Sequence, residues 1–179
     1  MIELFSPSSV SGWQPIDDRV MGGVSSSRLR HDPAGFAVFE GVVSPDKGGG
    51  FASVRHPDLP LGTASTTLYR LHVLGDGKRY RLILRTDQTF DGVNYQANFQ
   101  PPPGQWITVD IPLSAFITSF RGRTVPDAPP LAPAHVRQVG LMIADQQWGP
   151  FSLGIQGVTC VESDFNIPIP PKTAPDPSR

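Results

Sequence analysis

Val93-Asn94-Tyr95-Gln96-Ala97-Asn98-Phe99-Gln100 alternates apolar and polar residues without a break. Successive side chains of an extended chain point to opposite faces, so Val93, Tyr95, Ala97 and Phe99 form one face and the four amides the other. A helix would scatter both sets around its axis. The stretch therefore reads as a half-buried strand. The same period recurs in residues 36–43, ending before Pro45, and in 51–55, closed by Pro57. It continues through 66–74, 79–85, 106–111, 138–145 and 151–159. Gly154 and Gly157 predict a bulge in the last of these. Gly75-Asp76-Gly77 predicts a tight turn that pairs 66–74 with 79–85 as a hairpin. In that return strand Tyr80, Leu82 and Leu84 face one way and Arg79, Arg81 and Arg85 the other, with Ile83 the exception. Only Leu113, Phe116, Ile117 and Phe120 show helical spacing, behind Pro112, for at most two turns.

Eight or more short strands with almost no helix predict an all-β fold, an antiparallel β-sandwich. The chain has 179 residues, and its 18 glycines and 20 prolines leave little room for long helices. Long connections such as the Pro-rich 122–134 suit a jelly roll better than a meander. Residues 1–163 are expected to form a single domain, followed by a Pro-rich tail over 164–179. A formal charge of −1 argues against nucleic acid and anionic membrane, which both demand a basic surface. The lone Cys160 excludes an internal disulfide, and it reads as a small buried hydrophobe. The N-terminus shows no signal or transit pattern and no stretch approaches membrane-spanning length, so a cytoplasmic protein is expected.

Two loops are the most distinctive stretches. They are Asp17-Asp18-Arg19-Val20-Met21-Gly22-Gly23-Val24-Ser25 and Asp46-Lys47-Gly48-Gly49-Gly50-Phe51-Ala52-Ser53-Val54-Arg55. With Trp13 upstream, they resemble the opening of the complex I intermediate-associated protein family. Gly75-Asp76-Gly77 with Tyr80, Trp106 with Ile111-Pro112-Leu113-Ser114-Ala115-Phe116, Phe120-Arg121-Gly122-Arg123, and Val139 to Asp145 with Gln147 and Gly149 to Leu153 extend the likeness over about residues 12 to 160. The resemblance implies a galactose-binding-like β-sandwich. It also implies a chaperone-like assembly factor that holds partly built respiratory-complex subunits or assembly intermediates rather than a catalyst. The chain departs from the mitochondrial members in lacking a transit segment, and looks like a stand-alone bacterial relative.

Enzyme signatures are missing: there is no Gly-x-Ser-x-Gly elbow, dinucleotide fingerprint or Walker loop. His31, His56, His72 and His135 lack ligand spacing, so no metal or cofactor is expected. Asp17 and Asp18 sit on adjacent positions that point apart, which favours loop anchoring over a converging carboxylate pair. Arg19 or Arg55 is expected to bridge the two loops, and Met21 to tuck into the sandwich end while Gly22 and Gly23 turn the chain. Gly48, Gly49 and Gly50, leading into Phe51, read as a tight hairpin rather than an anion cradle. The amides Asn94, Gln96 and Asn98 beside arginines form the most site-like surface. The loop of Asp145, Gln146, Gln147 and Trp148 borders it.

Three functions follow from these features. The preferred one is a non-catalytic module that binds or assembles partner proteins. The alternative is a carbohydrate-binding module, with Trp148, Tyr95 or Trp106 as platforms and the amides as hydroxyl contacts. A hydrolase or isomerase built on Asp17, Asp18 and Arg19 is the third, and it needs carboxylates that converge.

Overall fold

The computed structural model describes residues 5–6 and 8–163, apart from the side chains of Val20 and Met21. The Pro-rich stretch 164–179 and the expected tuck of Met21 lie outside the described parts.

Twelve strands among the described residues build two antiparallel sheets that pack face to face. In chain order they are β1 (Gln14–Pro15), β2 (Ser26–Asp32), β3 (Phe36–Val43), β4 (Ala52–His56), β5 (Thr66–Leu74) and β6 (Tyr80–Arg85). They continue with β7 (Asn94–Phe99), β8 (Trp106–Pro112), β9 (Ile117–Phe120), β10 (Arg123–Thr124), β11 (Gln138–Ile143) and β12 (Gly149–Glu162). The seven-stranded sheet runs β1-β4-β11-β6-β7-β9-β10, and the five-stranded sheet β2-β3-β12-β5-β8. The all-β sandwich read from the alternation is the observed architecture.

The inward faces are the apolar ones. Phe39, Leu71, Val73, Leu153 and Ile155 from the five-stranded sheet meet Tyr80, Leu82, Leu84, Leu141 and Ile143 from the other, all fully buried. Burial of this apolar area, at about 25 cal/mol per Å², drives the two layers together. The register of β12 on β5 slips between Ile155 and Gly157, where the glycines predicted a bulge.

Three expectations are corrected. β5 and β6 do not pair. β5 lies between β12 and β8, and β6 lies between β11 and β7 in the opposite sheet. Residues 75–79 are thus a crossover between layers, held by the Asp76 carboxylate, which accepts from the Tyr80 hydroxyl and the Ser152 N–H, each at 2.9 Å. The predicted helix after Pro112 is a single 3-10 turn, Leu113–Ala115, followed by β9. Residues 44–51 likewise form a crossover from β3 to β4, not a hairpin, because those strands belong to different sheets.

Candidate binding site

The two glycine loops meet at the end of the sandwich where the chain passes from β3 to β4, and a carboxylate joins them. Asp18 is almost fully buried. Its Oδ1 accepts from the Ser25 N–H at 2.9 Å. Its Oδ2 accepts from the Ser25 hydroxyl, from the Gly50 N–H at 2.8 Å and from the Phe51 N–H at 3.4 Å. The glycines are required by this close approach. A Cβ on Gly23 would lie 2.4 Å from Asp18 Oδ1, and one on Gly49 would lie 2.6 Å from Asp18 Oδ2 and from the Ser44 carbonyl. The loop does cradle an anion through backbone N–H groups, but that anion belongs to the protein.

Asp17 has a separate set of donors. Its Oδ1 accepts from the Ser27 hydroxyl at 2.5 Å and the Ser53 N–H at 3.0 Å, which ties β2 of one sheet to β4 of the other. The environments oppose each other. Burial raises the Asp17 carboxyl above its usual pKa despite these bonds. Burial pushes Asp18 upward too, but its hydrogen bonds from Ser25, Gly50 and Phe51 outweigh that and leave it below the usual value. The two carboxylates do not share a ligand. The expected arginine bridge between the loops is not formed, because backbone N–H groups and serines satisfy the aspartates first. Arg19 is exposed, and Gly22 beside it closes the turn at φ +87°. Trp13 is buried, stacked on Phe5 at 5.6 Å, and so belongs to the core rather than to an open surface.

The outward face of the seven-stranded sheet carries the amide row, and the structure divides it. Asn94 is buried beneath the 86–93 loop. Gln96 accepts from Arg81 at 3.1 Å, and Asn98 is exposed. Arg81 and Arg79 both pair with Asp145, at 2.5 and 3.2 Å, so the 145–148 loop does border this surface. Gln147 is spent on the backbone of Arg79, and Trp148 is 42% exposed at the loop end. Tyr95 and Trp106 offer no free ring. Tyr95 is buried with its hydroxyl on the Pro129 carbonyl, and Trp106 is stacked on His72 and edged by Phe36.

Sequence reasoning passed over the 86–93 loop, which folds back over this face. Gln138 holds it through the Asp87 and Thr89 carbonyls at 2.9 and 2.8 Å. Arg85 holds the Gly92 carbonyl at 2.8 Å. Arg55 donates to the Phe90 carbonyl at 2.9 Å and lies 5.2 Å from the centre of that ring. Burial, and then the neighbouring charge of Arg85, lower Arg55 to about 10. Asp87 and Gly92, either side of the loop, were the available signal, as turn formers between two alternating strands. Between the loop and β1 lies a cleft of about 540 Å³, bordered by Gln14, Ile16, Asp17, Arg19, Arg55 and Phe90 among others. No cluster of three or more metal-ligating side chains occurs among the described residues, and no helix there is long and apolar enough to cross a membrane.

The class that these features define is an antiparallel β-sandwich with a polar outer sheet face and a cleft at its edge. The chain is similar in structure to the family 11 carbohydrate-binding module of the cellulosomal cellulase Lic26A-Cel5E of Clostridium thermocellum. The TM-score is 0.61 and the identity 15%, over 84% of this chain and 88% of that one. The family 11 module from the same organism, in complex with a β-1,3-1,4-mixed-linked tetrasaccharide, gives a TM-score of 0.60 at 16% identity, covering 91% and 96%. An exo-β-agarase gives 0.56 at 8% identity, covering 91% of this chain and 25% of the enzyme. At such identities these likenesses concern the fold alone. No curated protein matches the sequence. The family is nonetheless clear: residues 2–155 match complex I intermediate-associated protein 30 (CIA30), and the chain belongs to that family.

Proposed function

We propose that this chain is a non-catalytic binding module that holds a protein partner, in keeping with the assembly intermediates in its family's name. The fate of the acidic pair supports this reading most. Asp17 and Asp18, the strongest acid–base candidates, each hold backbone and serine donors and leave no converging pair for proton transfer. What remains outside is an arginine- and amide-bearing sheet face with a cleft at its edge, which suits recognition. In the same reading residues 1–163 act as one domain in the cytoplasm.

The test is in-cell crosslinking of the tagged full chain followed by identification of its partners. Recovery of one reproducible partner protein in stoichiometric amount is expected. Recovery of none would end the assembly reading. One observation favours carbohydrate as a second reading: Trp148 leaves part of its ring exposed beside the Arg79–Asp145 pair. Glycan binding that disappears in Trp148→Ala would establish it.

A further inference from the structure

Two arginines at the β1 cleft have no carboxylate partner among the described residues. Arg28, Arg30, Arg70, Arg79, Arg81 and Arg121 each pair with a carboxylate among the described residues. Arg19 and Arg55, which border the cleft, pair with none, and neither does Arg85 beneath the adjacent loop. The acids nearest them make their direct contacts elsewhere. Asp17 holds Ser27 and Ser53, Asp87 caps Thr89, Asp91 pairs with Arg121 at 2.8 Å, and Asp58 accepts from Gln88. Beneath the loop, Arg85 Nε and Asn94 Oδ1 are buried without hydrogen-bond partners. Two guanidinium groups at a cleft edge, neither paired with a carboxylate, offer charge-assisted donors to an anion from outside.

The rest of the lining narrows the ligand. Pro15, Ile16, Pro57 and the exposed ring of Phe90 provide an apolar shelf next to the guanidinium groups. A carboxylate on a short aliphatic stem fits both features. A sugar acid fits less well, because the one aromatic ring at the cleft already has the Arg55 guanidinium over its face. β1 is the edge strand of its sheet, but it is only Gln14–Pro15 and proline has no N–H, so a ligand here is held by side chains rather than by strand pairing.

We infer that the cleft between β1 and the 86–93 loop is a carboxylate-binding site, in which Arg19 and Arg55 receive an acidic side chain of a partner protein. This rests on the protein-binding reading above and adds the chemistry of the partner: a segment with Glu or Asp beside aliphatic residues. Arg55 is held in place by the Phe90 carbonyl and ring, so it is set in position before the ligand arrives. Arg19 is exposed and closes over the carboxylate from the loop side.

The test titrates the purified full chain with a fluorescein-labelled peptide of four Glu-Leu repeats, read by anisotropy. A Gln-Leu peptide and oligogalacturonate serve as comparison ligands. The Glu peptide should bind, weaken with added salt, and lose about tenfold in affinity in Arg19→Gln, the weight of one charge-assisted contact. Arg55→Gln should lose at least as much, and Arg19→Glu, at an exposed position that does not endanger folding, should abolish binding. Arg123→Gln, at the opposite edge of the same sheet, should bind as the unmodified chain does.

Equal binding of the Gln peptide, no effect of either Arg19 variant, or an equal loss in Arg123→Gln would each overturn the inference. Arg19-dependent binding of oligogalacturonate without binding of the Glu peptide would also overturn it, in favour of an acidic glycan. A crosslinked partner retained in full by Arg19→Glu would end this inference and leave the protein-binding reading intact. With no partner at all that reading fails, and the peptide titration still judges the cleft.

Discussion

Replacing Asp18 by Asn removes one charge from the buried corner and almost no volume, so it isolates what the carboxylate contributes. Four donors converge on Asp18: the Ser25 N–H and hydroxyl, and the N–H groups of Gly50 and Phe51. An asparagine can turn its oxygen toward the three donors on the Oδ2 side. Its amide NH2 then confronts the Ser25 N–H, leaving a buried donor unsatisfied at a cost of about 1–3 kcal/mol. Each retained bond loses its charge assistance, about 1 kcal/mol apiece for the well-formed ones. Relief from burying a charge offsets part of this, and the net loss should be about 3 kcal/mol, a large share of the stability of an ordinary domain. Asp17→Asn gives the contrast. Both its donors meet one oxygen, Oδ1, so an amide can keep them, and burial already disfavours its charge. Its cost should stay within about 1 kcal/mol. Urea unfolding of the three proteins measures these numbers. A loss below about 1 kcal/mol in Asp18→Asn, or a larger one in Asp17→Asn, would refute the account of the corner. The acid limb gives the sign. Asp18 is depressed below 3.8, so its contribution is present above that value and lost as pH falls through the folded pKa; Asp18→Asn lacks this loss. Asp17 is raised, so it erodes stability as pH climbs from 3.8 through its folded pKa, and Asp17→Asn lacks that erosion.

Neighbouring glycines should behave oppositely. Gly49→Ala drives a Cβ against Asp18 Oδ2 and the Ser44 carbonyl and should cost about 2–3 kcal/mol, whereas Gly50→Ala meets nothing within 4 Å and should change stability by less than about 1 kcal/mol in urea unfolding. Gln138→Leu leaves the Asp87 and Thr89 carbonyls without their donor; about 1–3 kcal/mol should be lost and proteolytic nicking should concentrate in residues 86–93. Burial lifts all three tyrosines, Tyr69, Tyr80 and Tyr95, above the usual 10.0, so absorbance titration of the folded protein should show no phenolate step there, and stability should decline as pH rises past that value because the unfolded chain ionises first.

The strands were legible because one sheet face is buried and the other is not. β3 and β5 begin and end where their alternation does. The layer that each strand joins was not legible, since a period of two specifies a face and says nothing about which sheet owns it. Thus β5 and β6 read as a hairpin although they face each other across the core. β2 is not marked by alternation because Ser26, Ser27, Arg28, Arg30, His31 and Asp32 are polar and Leu29 is its one apolar residue packed on the core, as an edge strand allows. The spacing of Leu113, Phe116, Ile117 and Phe120 suits a helix, but a 3-10 turn followed by a strand satisfies it equally. At the site, the anchoring role of the acidic pair was readable from their adjacency. Their partners Gly50 and Ser53 lie over thirty residues away, and the cleft joins segments around residues 14, 55 and 90, which no local pattern links.

The loop that carries the family likeness therefore divides into two kinds of residue. Asp18, Gly23 and Gly49 are explained by packing alone, since a methyl group or a lost carboxylate at any of them breaks the corner. Arg19 is not explained this way: it is exposed and its side chain makes no hydrogen bond or ion pair among the described residues, yet it follows directly on the buried anchor. Its backbone is held by that anchor, with the Arg19 carbonyl accepting from Gly22 at 3.0 Å and the Asp18 carbonyl from Gly23 at 2.9 Å. The corner thus fixes where an unpaired guanidinium stands beside the cleft. If so, Asp18→Asn should weaken the Glu-Leu peptide by about fivefold or more even at temperatures where the variant is fully folded, because ordering Arg19 then costs binding energy that the anchor had supplied in advance. An Asp18→Asn chain that is folded by circular dichroism and binds as tightly as the original would show that the corner is scaffold only, with no part in presenting Arg19.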